Sequence, residues 1–266
     1  MRLQTLLAGL GSLALATTLR AQALDLSHFD LVDLTHTFDA STLYWPNSPG
    51  GFDWKSLFDG KTEAGFYYSA GAFCAPEHGG THLDAPVHFA KGQLAADAIP
   101  LSSLIAPAVV IDVTAKAASD ADYRLTVADV EAFEKEHSAI PAGSIVLLRT
   151  GWSSRWPDRK AIFGDDKPGE TKNLHFPSYS ADAARLLIEQ RKVVALGVDT
   201  PSIDYGPSQD FMVHQIAGGH GVPGLENVAN LEKLPGTGAT IIALPVKIGG
   251  GTGAPARIVA LVPRKS

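Results

Sequence analysis

Between residues 108 and 199 the chain switches repeatedly between two hydrophobic periods, and this alternation narrows the possible folds more than any other feature. The runs AVVIDVT (108–114), SIVLLRT (144–150) and VVALGVD (193–199) are short, apolar and rich in β-branched residues, which is the pattern of buried strands. Between them lie TVADVEAFEKEH (126–137) and SADAARLLIEQR (180–191). The first has Thr126 as a helix N-cap with Asp129 three residues on, and it stops before Pro141. The second starts at Ser180 and repeats apolar residues at Ala183, Leu186, Leu187 and Ile188. Strand, helix, strand in this order predicts an α/β domain with some parallel pairing.

The flanks carry more strand than helix. FDLVDLTH (29–36), FYYSAGAF (66–73), TIIALPVKI (240–248) and RIVALVP (257–263) all read as strands, and a third, shorter helix is expected within 224–234. The expectation is therefore a single mixed-sheet α/β domain rather than a doubly wound one, with its functional residues in connecting loops. The loop 151–179 holds Trp152, Trp156, three prolines and many charges, and is long enough to be a lid or an oligomer contact. Hydrophobic content of 45% against 19% charged residues leaves no segment poor enough in apolar residues to stay unfolded.

Residues 1–23 stand apart. Arg2 is followed by an apolar run from Leu3 to Leu19 and then by Ala21-Gln22-Ala23, the order of a cleaved secretory signal. A membrane anchor is the competing reading, weakened by Gln4, Gly9 and Gly11 within the run. The mature domain is then 24–266, exported to the periplasm or secreted. Arg2 and Arg20 leave with the signal, so the formal net charge moves from −6 to −8. Such an acidic chain, without a Lys/Arg run, is a poor partner for nucleic acid or anionic membrane. Cys74 is the only cysteine, which excludes an internal disulfide and makes a small buried hydrophobe the expected role.

EHGGTHLDAPVHF (77–89) gathers His78, His82, Asp84 and His88. On a helix His78 and His82 share a face, and on a strand His82 and Asp84 do, so no single regular element turns all of them one way. Gly79-Gly80 and Pro86 suit an irregular, stiffened loop that folds its donors inward. Imidazole nitrogen with carboxylate oxygen suits Zn²⁺, Mn²⁺ or Fe²⁺, and two histidines with one carboxylate leave coordination positions for water and substrate. A hydrogen-bonded structural cluster is the alternative. Run fully extended at ~3.3 Å per residue, the chain would carry His88 ~20 Å from His82, so the Pro86 turn must bring it back for acid/base work. Aromatic residues crowd the motif in sequence, and Trp45 and Phe73 are candidates to hold a flat substrate. GGGTGA (249–254) lacks a following strand–helix–strand unit and reads as a tight turn bordering the site. No Gly-x-Ser-x-Gly elbow is present.

The stretch HGGTHLDAPVHF (78–89) resembles the signature of the cyclase family of metal-dependent hydrolases, which includes bacterial kynurenine formamidases and isatin hydrolases. DLTHTFDASTLYWP (33–46), GVDTPSID (197–204), VHQIAGGHGVPGLENVANLEKLP (213–235) and GGTGAPARIVAL (250–261) resemble further family segments. The resemblance implies a swivelling β/β/α fold, usually oligomeric, as a dimer or tetramer, and one or two Mn or Zn cations per chain. It implies His78, His82 and Asp84 as metal ligands and His88 as the acid/base. His214 and Glu226 would complete a second metal position sharing Asp84, while Gln215 could supply an amide oxygen in a one-metal version. By itself His214 reads as a core histidine and Glu226 as a residue of a helix's first turn. The implied substrate is a small aromatic amide or lactone, with isatin ring opening ahead of N-formylkynurenine because an exported enzyme is unexpected in the kynurenine pathway.

Overall fold

The computed structural model describes residues 25–264; the expected signal at 1–23 lies outside the described residues. Twelve strands follow one another: β1 (Phe29–Asp33), β2 (Asp53–Lys61), β3 (Tyr67–Cys74), β4 (His82–Asp84), β5 (Ile105–Asp112), β6 (Arg124–Leu125), β7 (Ile145–Arg149), β8 (Ser178–Tyr179), β9 (Ala195–Val198), β10 (Gly224–Glu226), β11 (Thr237–Pro245) and β12 (Gly253–Pro263). Seven of them close a mixed barrel in the order β12-β11-β5-β7-β9-β10-β4, with β4 returning to β12 and β1 continuing along the same edge of β12. The run β5-β7-β9-β10 is parallel, and the remaining barrel pairs are antiparallel.

Burial on both faces explains why the central runs are apolar throughout instead of alternating. Ala108, Val110, Ile145, Leu147, Leu83, Leu225, Ile241 and Ile258 share the cluster that fills the barrel. Their neighbours Val109, Ile111, Val146 and Leu148 pack outward against Val130, Phe133, Ala184 and Leu187 of the surrounding helices. The helix Val127–His137 begins with the expected capping box between Thr126 and Asp129. Ser180 caps Ala181–Arg185, which continues as a π-turn over Leu186–Gln190.

Three local expectations are corrected. The segment 224–234 opens as strand β10 and is helical only in the single 3-10 turn Leu231–Lys233, while the longer helix of this region is Met212–Gly219. The histidine segment is not wholly irregular, because its centre is β4, clamped between β10 and β12. Cys74 is exposed, since it ends a hairpin that leaves the barrel. Loop 151–179 folds into a small buried cluster of Trp152, Ile162, Phe163, Leu174 and Phe176 on which Trp45 packs, so it acts as a wall. Among the described residues no helix is long and apolar enough to cross a membrane.

Candidate metal centre and active site

Strand geometry gathers the donors. Leu83 fills the barrel interior, so His82 and Asp84 on either side of it project from the outer surface of β4. Glu226 of β10 stands opposite His82 in the ladder and joins the same face. Pro86–His88 forms a single 3-10 turn that reverses the chain and returns His88 to the site. Its ring stacks on His78 with centroids 3.9 Å apart and lies 6.1 Å from His214. His214 arrives from above on the helix Met212–Gly219.

Three imidazoles are each pinned by one nitrogen, which aims the other inward. His82 Nδ1 donates to the Gly80 carbonyl at 3.0 Å, leaving Nε2 3.1 Å from Asp84 and 3.4 Å from Glu226 without a hydrogen-bond partner. His214 Nδ1 donates to Asp204 at 2.7 Å, leaving Nε2 3.0 Å from Asp84 and 3.2 Å from Glu226. The Thr252 hydroxyl donates to Glu77 at 2.5 Å, so its oxygen accepts from His78 Nε2 at 2.9 Å. The lone pair of His78 Nδ1 then faces Asp84 Oδ1 at 2.6 Å. Acceptors this close need a positive charge between them, and this outer ring of partners is the arrangement that orients metal-binding histidines.

Either protons or a divalent cation can provide that charge. With protons, burial opposes ionisation of His82, yet Asp84 and Glu226 outweigh it and raise its pKa to about 9. Burial likewise opposes a charge on His214, and its bonds to Asp204, Asp84 and Glu226 raise it well above the usual imidazole range. Burial and the neighbouring Asp84 charge push Glu226 up. Two donor sets have their atoms within 4.8 Å of one another: His78, His82 and Asp84, and Asp84, His214 and Glu226. Both mix imidazole and carboxylate, so they fit Zn²⁺ or Mn²⁺.

Above these donors opens a cavity of about 420 Å³. Trp45, Phe89, Phe163 and Phe211 contribute to its wall, with His88 at its edge. Trp45 meets Phe163 and Phe211 edge-on at 6.2 Å. Desolvation by this wall, ahead of the neighbouring charges, lowers the His88 pKa to about 4, so its ring is neutral at pH 7.

The structure does not bring Phe73 or Gln215 to the cavity. Phe73 lies on the outlying hairpin, 63% exposed and stacked on Phe52 at 5.5 Å. Gln215 follows His214 on the helix, turned about 100° from it, and its amide donates to the Asp210 carbonyl at 2.6 Å on the exposed side. Sequence reasoning passed over Asp204, Thr252 and Phe211 as individual residues. Asp204 accepts from the backbone of Val213 and His214 as well as from the His214 ring, so it caps the helix and orients its imidazole at once. An acid ten positions before a candidate ligand was the available signal. Phe211 has φ +49°, a strained left-handed conformation that no local sequence pattern announces. His36 stacks on Trp156, and His220 bonds its own helix at Ile216, both away from the donors.

A family model described as "Putative cyclase" matches residues 32–205. The isatin hydrolase of Roseibium aggregatum is 38% identical over 196 residues, covering 71% of this chain and 73% of that protein. The kynurenine formamidase of Salinibacter ruber is 29% identical over 234 residues, covering 86% of this chain and 96% of that protein. Among solved structures, an isatin hydrolase bound to the product analogue thioisatinate aligns with a TM-score of 0.82 at 31% identity, covering 90% of this chain and 94% of that one. The barrel, the motif at 78–89 and a sequence match over well over half of the chain lead to one conclusion: this chain belongs to the cyclase family of hydrolases.

Proposed function

We propose that this chain is a metal-dependent amidohydrolase that opens the ring of an isatin-like cyclic aryl amide. The observation that carries the reading is the aromatic cavity set directly over inward-facing imidazole and carboxylate donors. The 38% identity to an isatin hydrolase supports it. His78, His82 and Asp84 would hold one divalent cation, and Asp84, His214 and Glu226 offer a place for a second. Such a cation would polarise the scissile carbonyl and make water acidic enough to attack at neutral pH.

The chain's own residues do the rest. Trp45, Phe89 and Phe211 hold a flat ring against the donor face and exclude water from it. His88 is neutral and takes a proton from the attacking water as oxygen bonds to the carbonyl carbon. It returns that proton to the ring nitrogen as the C–N bond breaks, leaving an aryl amine and a carboxylic acid, which gives up its remaining proton to solvent as the carboxylate. Asp204 and Thr252 hold His214 and His78 in the orientations the site requires. The expected segment 1–23 would place this activity in the periplasm or outside the cell.

Turnover of isatin, N-formylkynurenine and aryl lactones by the Mn²⁺- or Zn²⁺-loaded protein tests the reading. Isatin should be opened fastest; metal bound without turnover of any of the three would overturn it and favour an exported metal- or ligand-binding protein. Formamidase activity is the second reading, favoured by the second donor set around Glu226, and dominant turnover of N-formylkynurenine would select it.

A further inference from the structure

Tyr44 is locked against the histidine motif. It pairs with Gly79 in an antiparallel bridge, and the Gly80 N–H donates to the neighbouring Leu43 carbonyl at 2.9 Å. Its ring lies so close on Gly79 that a β-carbon there would collide with the ring atoms, which requires glycine beside His78. The residue is 5% exposed and forms part of the cavity wall, yet its hydroxyl has no hydrogen-bond partner among the described residues. The same holds for one other buried atom of the wall, His82 Nε2, whose partner is the charge required between the donors. The remaining buried hydroxyl and amide of the wall are engaged. Ser202 Oγ accepts from the Asp204 backbone at 3.1 Å, and the Asn227 amide donates to the Gly80 carbonyl at 3.0 Å. A buried hydroxyl left alone is costly, and in a cavity wall it marks a group whose partner arrives with a ligand.

We infer that Tyr44 is a specificity-determining residue, whose hydroxyl donates a hydrogen bond to the ketone oxygen beside the scissile amide carbonyl of the substrate. The assignment rests on the isatin-like ring opening proposed above. Such a ring is polar at its amide carbonyl, its nitrogen and the adjacent ketone. The donor face serves the first and His88 the second. The ketone would otherwise lie among the apolar faces of Phe89, Phe163 and Phe211, without a donor. Desolvation pushes the Tyr44 pKa up to about 12, so the phenol keeps its proton and is a donor at neutral pH. Donation to the ketone also draws electrons from the neighbouring scissile carbon, so the bond favours reaction as well as binding. A site with a buried donor rejects an analogue that lacks the matching acceptor, because the donor then stays unpaired. Tyr44 therefore selects α-keto amides over plain lactams of the same shape.

Calorimetry on the metal-loaded protein with two unreactive ligands tests this. One is 2-aminophenylglyoxylate, the opened form of isatin, which keeps the ketone; the other is 2-aminophenylacetate, which lacks it. Tyr44→Phe removes only the hydroxyl. It should weaken the first ligand ~10-fold or more and leave the second within about twofold, with no loss of melting temperature. The infrared spectrum of 2-aminophenylglyoxylate bound to the unaltered protein provides a second measurement should the variant fail to fold: its ketone band should lie at lower frequency than in an aprotic solvent. Equal weakening of both ligands would make Tyr44 a packing residue and overturn the inference. So would unchanged affinity for both, or an unshifted ketone band. Where wild-type protein opens isatin, these results sink the inference alone; wild-type protein that neither opens isatin nor binds the glyoxylate sinks the proposed function together with it.

Discussion

Asp204 Oδ2 lies 2.7 Å from His214 Nδ1 and at the same time accepts the backbone N–H of His214 at 3.0 Å. One carboxylate therefore sets both where the helix begins and which imidazole nitrogen faces the donors. Asp204→Asn keeps the shape but offers an amide where a carboxylate stood, so His214 loses its strong acceptor. Metal affinity should fall ~10–100-fold, the usual effect of removing such an orienting partner. Metal titration followed by calorimetry checks this; unchanged affinity would mean that His214 takes no part in binding.

His88 touches no carboxylate in the cluster and belongs to neither donor set. His88→Ala should leave the bound metal unchanged and lower kcat by ~10²–10⁴. Elemental analysis and steady-state rates on the same preparation separate the two effects. Loss of metal in this variant would move His88 from proton transfer to ligation.

Glu226 serves only the second donor set. Glu226→Gln should leave one equivalent of metal per chain on His78, His82 and Asp84, whatever the wild-type content. Complete loss of metal would show that the two sets act as one.

Gly253 sits where a methyl group would come within 2.5 Å of His78 Cε1 and 2.7 Å of the Leu83 carbonyl. Gly253→Ala should push His78 off Thr252, weaken metal binding and cost about 1–3 kcal/mol of stability, the range for overpacking a filled site. A melt and a metal titration test both parts. A variant indistinguishable from wild type would show that β12 yields easily at this point.

Asp129 contributes acid-sensitive stability outside the site. Burial raises its pKa, but bonds from Lys116, Tyr123 and Thr126 outweigh this and lower it to about 2 from an ordinary 3.8. A carboxyl whose folded pKa is depressed stabilises the fold above pH ~4 and loses that contribution as pH falls toward ~2. Asp129 is buried but its Lys116 partner is exposed, and solvent screening of that partner leaves about 1–2 kcal/mol. Urea unfolding of Asp129→Asn should show that deficit at pH 7 and a shrinking one between pH 4 and 2. A deficit of constant size would show that packing, and not charge, is what the residue supplies.

The periodic features were legible in the residues alone. Thr126 with Asp129, Ser180, and the apolar runs that became β5, β7, β9, β11 and β12 are set by local capping and burial, which need no knowledge of the partner. The motif at 78–89 was legible as chemistry, since few other roles gather three histidines and an aspartate among glycines and a proline. What tertiary structure alone decided is which of these residues meet. Glu226 reaches Asp84 because β4 lies beside β10, and His214 reaches it from the helix Met212–Gly219, contacts made across 142 and 130 positions of sequence. Phe73 and Gln215 were sorted away from the cavity by the hairpin's departure from the barrel and by the turn of a helix. Spacing along a chain limits what a residue can do locally, but contact between distant segments depends on barrel closure, and closure is set by the burial of every strand together.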